Sequence, residues 1–199
     1  MIPFELLTAL VGFALVSSIT PGPNNIMLMA SGANFGFVGS IPHMLGISIG
    51  FTLMIVLVGL GLIQLFDAFP ISYTILKIFS ILYLLWLAWK IANAAPPKGS
   101  APPGEKITFL QAALFQWLNP KAWSMALTSI AAYAPGQTVQ AILVVATVFG
   151  AIILPTVCIW TIMGKQIRFF LNKPRWLQAF NAGMALLLIL SALPVLLIE

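Results

Sequence analysis

Thr20-Pro21-Gly22-Pro23-Asn24-Asn25 interrupts an apolar pattern that runs from Phe4 to Ile19 and resumes at Ile26. Two prolines around a glycine cannot continue a helix, because each proline lacks an N–H and its ring clashes with the carbonyl one turn back. The flanking residues are apolar enough for lipid, so the break falls where water does not satisfy the freed backbone. Breaks at that depth persist where the loose amides and carbonyls face protein or a wet cavity, and for that reason they line binding sites. The stretch predicts a first membrane helix broken at proline, with Asn24 and Asn25 offering donors and acceptors there. The plainer alternative is an interfacial turn that ends a short first helix.

Working outward, the chain has 199 residues, 61% of them hydrophobic and 7% charged, where soluble domains carry roughly 25% charge. Mean hydropathy is +1.06. Apolar runs extend approximately from Phe4 to Ile19, Phe37 to Phe66, Ile71 to Ile91, Ile107 to Ile130, Val139 to Gly164 and Trp176 to Ile198. About 20 residues cross a hydrocarbon core of ~30 Å as a helix. None of the runs shows the period-2 alternation of barrel strands, and lipid leaves no partner for an unpaired backbone, so all six are expected as helices. The second is long enough to tilt. The expectation is an all-α integral membrane protein, a single membrane domain over 1–199 with six transmembrane helices. The short connections leave no space for a soluble catalytic domain, so the chain is read as a non-enzyme that calls for no cofactor. The first segment lacks a basic leading region and a small-residue cleavage site, and is expected to stay as a helix.

The longest polar stretch, Ala94 to Lys106, holds four prolines and two glycines and reads as an exposed linker. It separates residues 1–93 from residues 107–199, three helices each. At an offset of 99, Ala14-Leu15 falls on Ala113-Leu114, Ile19 on Leu118, Thr20 on Asn119 and Pro21 on Pro120. An odd number of spans per half places two such repeats in opposite orientations, the inverted-repeat plan of many secondary transporters. Chance alignment of two proline-containing apolar segments is the alternative.

The formal charge is +5 and the isoelectric point about 9.7, but the nine basic residues form no face for nucleic acid. Seven of them, Lys90, Lys98, Lys106, Lys165, Arg168, Lys173 and Arg175, fall in loops on one side, and the loops near Asp67 and over 131–138 hold none. By the positive-inside rule the basic side, linker included, is cytoplasmic, and both termini then face outward across an inner (plasma) membrane. The lipid bilayer is the expected surrounding partner, and a homodimer is left open. The lone Cys158 excludes an internal disulfide or a dithiol pair.

A second interruption lies in the fourth run, Gln116-Trp117-Leu118-Asn119-Pro120-Lys121. Its proline frees further backbone groups, and Lys121 sets an ammonium inside an apolar segment, at about 2.5–3.5 kcal/mol on insertion scales. Such a lysine either faces the bundle interior as a substrate or ion contact or snorkels to a headgroup. Lys77 is near enough to a surface to snorkel. His43, the only histidine, shares a helix face with Gly46 and Gly50 and is either a packed core residue or a proton relay. Gly46-Ile47-Ser48-Ile49-Gly50 spells the nucleophile-elbow pattern but lies within a continuous apolar helix, without the strand-to-helix turn that motif needs. The four acids, Glu5, Asp67, Glu105 and Glu199, sit at ends or loops, which gives no metal site at depth.

Taken together, TPGPNN, the glycine-rich second span, Lys77 followed by Tyr83-Leu84-Leu85-Trp86-Leu87-Ala88-Trp89-Lys90, and Asn119-Pro120-Lys121 resemble the LysE/RhtB family of amino-acid exporters. The form after TPGP is most similar to the subgroup that includes cysteine and O-acetylserine exporters. Two departures stand out: Asn24 replaces an aspartate that many members carry, and Ala131-Ala132-Tyr133-Ala134 stands where a proline-glutamine pair often follows. The resemblance implies efflux of a small amino acid or derivative driven by protons. Loss of the carboxylate at position 24 leaves His43, Lys77 and Lys121 as the titratable groups at depth. The residues expected at a substrate site are Thr20, Pro21, Gly22, Pro23, Asn24, Asn25, Gln116, Asn119, Pro120 and Lys121. Lys121 and the helix amides after each proline would hold a carboxylate, and the asparagines and released carbonyls an ammonium. A metal or inorganic-ion exporter and a non-transporting scaffold are the rival classes.

Overall fold

The computed structural model describes residues 3–69, 71–94, 105–171 and 173–191. They form helices α1 (Phe4–Ile19), α2 (Pro23–Gly39), α3 (Ile41–Leu57), a π turn (Val58–Leu62), α4 (Ile63–Ala68), α5 (Ile71–Ala92), α6 (Phe109–Leu118), α7 (Pro120–Tyr133), a 3-10 turn (Pro135–Gln137), α8 (Val139–Phe170) and α9 (Pro174–Leu190). No strand occurs among the described residues. Most of the Pro-rich linker lies outside them, as does the end of the last apolar run.

Both expected breaks are present. Helix α1 ends at Ile19 and α2 starts at Pro23, the pair bent by 55°; α6 ends at Leu118 and α7 starts at Pro120. In each case proline stands at the first helical position, where its missing N–H removes no intrahelical bond. By length and apolarity, Ile41–Leu62, Thr74–Ala92 and Val139–Phe170 can each cross a membrane, and the bent pair α1–α2 passes the same test when its two helices are counted as one span. Helix α6, at ten residues, is too short alone, and α9 runs for 17.

Two boundaries differ from expectation. The second span begins at Ile41, not Phe37, because Gly36 takes φ 70 and ends the helical path of α2 inside a continuous apolar stretch. It is also not one tilted rod, since Gly61 (φ 100) kinks it within the π turn. Helix α8 continues past Gly164 to Phe170, carrying Lys165 and Arg168 in its last turns, where cations complement the helix C-terminus.

The tightest packing joins the two sequence halves. A Cβ at Gly32 would strike the carbonyl of Thr161, and one at Gly164 the carbonyl of Met29, so α2 and α8 touch backbone to backbone. Helices α3 and α6 do the same: a Cβ at Gly46 would meet Phe109 O, and one at Gly50 would lie 2.8 Å from Ala113 Cα. Small residues permit such approaches, and with water absent that packing supplies the association energy. A third cross-half pairing, α5 with α9, ends in a buried polar cluster. There Asn34 and Asn181 exchange amide bonds of 2.7 and 3.0 Å, Asn181 also donates to Ala94 O, and Arg168 Nη1 donates to Asn34 O at 3.4 Å. Nearby, Lys90 bonds Gln111 Oε1 at 3.1 Å and pairs with Glu105 at 3.4 Å. The basic helix ends thus gather at one end of the bundle.

Candidate functional site

Pro21 and Pro23 deprive the last turn of α1 of its usual amide partners, and four side chains supply others. Thr20 Oγ1 donates to Val16 O (2.6 Å) and Ser17 O (3.0 Å). Asn25 Nδ2 reaches back across the break to Ser18 O (3.0 Å) and Thr20 O (2.8 Å). Trp160 Nε1, from α8, donates to Ile19 O at 3.2 Å. Finally Lys121 Nζ donates to Thr20 O at 2.6 Å and reaches Pro21 O at 3.5 Å. Carbonyls that lipid could not satisfy are satisfied by side chains converging on one point.

The second break is held in a matching manner. Asn119 adopts an extended conformation, and its Oδ1 accepts from Lys121 N at 3.1 Å, capping α7. Trp123 Nε1 donates to Trp117 O at 2.8 Å. Gln116, fully buried, exchanges amide bonds with Asn24: Asn24 Nδ2 donates to Gln116 Oε1 at 2.8 Å, and Gln116 Nε2 donates to Asn24 Oδ1 at 3.3 Å and to Ala112 O at 2.8 Å. The two breaks therefore meet through Asn24–Gln116 and Thr20–Lys121.

A cleft opens where they meet, with about 410 Å³ of empty space when the adjoining open solvent is included. Its lining includes the polar residues Asn24, Asn25, Asn119 and Lys121 with Gly22, the hydroxyl residues Ser17, Ser18 and Thr156, and the apolar residues Ile47, Phe51, Met125, Ile153 and Val157. Of the residues expected from the sequence, Thr20 and Gln116 act behind this lining through hydrogen bonds, Pro21 contributes a carbonyl to Lys121, and Pro23 and Pro120 start the helices that follow. His43 and Lys77 are not among the lining residues. His43 is wholly buried with neither ring nitrogen hydrogen-bonded. Lys77 is half-buried on α5. Sequence reasoning missed Ser17, Ser18, Thr156, Trp160 and the apolar wall. Ser17-Ser18 directly before TPGP, and Thr156 beside Pro155 within an apolar run, were the available signals.

The arrangement favours an anion at one end. The first-turn amides of Asn24 and Asn25 in α2 and of Ala122 in α7 have no intrahelical acceptor, and all three residues line the cavity beside the Lys121 ammonium. Asn25 spends both amide protons on backbone, which turns its Oδ1 into a spare acceptor on the same wall.

The LysE type translocator family matches residues 15–198 of the chain. The chain belongs to this family. It is therefore a membrane translocator and not an enzyme. It is 31% identical over 196 residues to a cysteine/O-acetylserine efflux protein of Escherichia coli O139:H28, covering 94% of this chain and 95% of that protein. It is 30% identical, with the same coverage, to the cysteine/O-acetylserine efflux proteins of E. coli K12 and Shigella flexneri. No solved structure shows a significant match. Within the LysE family setting, the paired helix breaks and the lysine between them become the candidate translocation site.

Proposed function

We propose that this protein exports a small amino acid or amino-acid derivative from the cytoplasm as a proton-coupled secondary transporter, and that cysteine and O-acetylserine, named for its relatives, belong to its substrate class. The observation that carries the reading is the meeting of both helix breaks at one cavity, with the ammonium of Lys121 between them. A zwitterion needs a cationic partner and an acceptor set a few ångströms apart. Lys121 Nζ has three donors, of which Thr20 O and Pro21 O engage at most two, so at least one N–H remains for a carboxylate. The Asn24, Asn25 and Ala122 amides complete the anion end, and Asn25 Oδ1 with the neighbouring hydroxyls accepts from the ammonium. The released carbonyls of α1 already hold protein donors, which shifts that task onto side chains.

The transport plan in this reading is alternating access between two inverted three-helix repeats. In support, the helix ends at Ile19 and Leu118 lie 99 residues apart, the starts of α3 and α8 lie 98 apart, and the ends of α5 and α9 lie 98 apart. Under this exchange the contact of α5 with α9 maps onto itself and that of α3 with α6 onto α1 with α8, and both of these occur. On this plan α6–α7 is the fourth span and α9 the sixth. The basic end, with Lys90, Lys106, Lys165 and Arg168, faces the cytoplasm, and both termini face outward across the inner membrane. His43, Lys77 and Lys121 are the candidates for carrying the coupled proton.

Export of an amino-acid panel from cells expressing Lys121→Ala or Asn24→Ala tests the reading. Both variants, at equal membrane abundance, are expected to lose most efflux of the transported species. Wild-type efflux in both removes the cavity from the mechanism.

A further inference from the structure

Three hydroxyl residues line the cavity, and two are committed to their own helices: Ser17 Oγ donates to Phe13 O at 2.6 Å, and Thr156 Oγ1 to Ile152 O at 2.8 Å. Ser18 differs. Its Oγ is buried, the residue is 8% exposed, and the hydroxyl has no hydrogen-bond partner. Apart from the His43 ring nitrogens, it is the only buried side-chain polar group among the described residues in that condition. The return bond to the carbonyl four residues back is the cheap solution for a helical serine in an apolar setting. Ser48, Thr52, Ser80, Thr156 and Thr161 all use it here. For Ser18 the acceptor would be Ala14 O, which Ser17 Oγ already approaches at 3.3 Å. An unmet hydroxyl in a cavity wall costs free energy that a bound molecule can recover.

Its place says which part of the molecule that is. The anion end lies at Lys121 and the Asn24 and Asn25 amides, beyond the break, and Ser18 lies before it in the last turn of α1, on the same cavity, so the side chain of a substrate anchored at the anion end is the part left to meet it. The apolar part of the same lining comes from Ile47, Phe51, Ile153 and Val157.

We propose that Ser18 Oγ is the specificity-determining contact for the substrate side chain, selecting short amino acids with a hydrogen-bonding atom at the γ position or just beyond over those ending in a plain methyl group. The assignment rests on the export reading above. A site built to hydrogen-bond one substrate group discriminates against the analogue that lacks it, because its own polar atom is then left unpaired.

The test uses the full-length protein in proteoliposomes, with cysteine and O-acetylserine competing against 2-aminobutyrate, which has the shape of cysteine with a methyl in place of the thiol. Wild type is expected to prefer the first two by about tenfold, the worth of one net hydrogen bond. Ser18→Ala should lose that preference, the ratio of cysteine to 2-aminobutyrate transport falling toward one, and Ser18→Thr should retain it. Without substrate, Ser18→Ala should melt at or above the wild-type temperature, since the oxygen removed has no partner in the protein. A lower melting temperature, or an unchanged preference in a variant that transports, overturns the assignment. Failure of wild type to transport any of the three overturns the export reading, and this one with it.

Discussion

Lys121 Nζ donates to Thr20 O across 2.6 Å, so the lysine that follows one helix break closes the other, 101 residues earlier in the chain. An ammonium placed there serves the fold and remains available to an anion. The two roles separate by substitution. Lys121→Gln keeps a donor for Thr20 O and removes the charge, and is expected to fold in the membrane at near wild-type levels while efflux falls at least tenfold. Quantitative export at matched abundance measures it.

Asn25 ties Ser18 O and Thr20 O across the break and is 5% exposed. Asn25→Leu leaves Ser18 O without this donor, while Thr20 O keeps Lys121, at about 1–3 kcal/mol for a buried unsatisfied group. A lowered melting temperature of the detergent-purified protein, even without substrate, is the expected reading.

The glycines separate into two kinds. Gly32→Ala and Gly164→Ala drive a methyl into a facing carbonyl and are expected to abolish or severely reduce folded protein. Gly12→Ala meets nothing within 4 Å inside α1 and should stabilise by roughly 0.5–1 kcal/mol. Fluorescence-detected size exclusion of the three variants side by side gives the comparison.

At the basic end, Asn34→Ala or Asn181→Ala each strands a buried amide. The double variant is expected to be less destabilised than the sum of the singles, because the second change removes a group already unpaired. Additive losses in melting temperature would deny the pair its coupling.

Orientation is read by labelling. In a Cys158→Ser background, Ala132→Cys should react with an impermeant thiol reagent in intact cells, and Lys173→Cys only after permeabilisation. The reverse pattern inverts the assigned sidedness.

The breaks were legible in the sequence because proline acts locally: TPGP and NP dictate where helices stop whatever surrounds them. Their partners were not, because Trp160 on Ile19 O and Asn25 folded back on Ser18 O depend on how distant helices meet. Lys121 was read as either a ligand or a snorkelling residue, and the structure adds a third part, a cap on the opposite break. The start of the second span was misplaced at Phe37 because hydropathy does not register a glycine at positive φ between apolar neighbours. The length of α8 was underestimated for the complementary reason: charge marks where lipid ends, while the helix runs on to Phe170.

The glycine contacts carry a mechanical consequence. Where α2 lies on α8 and α3 on α6, no methyl group fits between the backbones, and each of these welds unites helices from opposite ends of the gene product. If the halves rock as proposed they pivot on these contacts, and a covalent tether from α2 to α8 is expected to leave efflux intact.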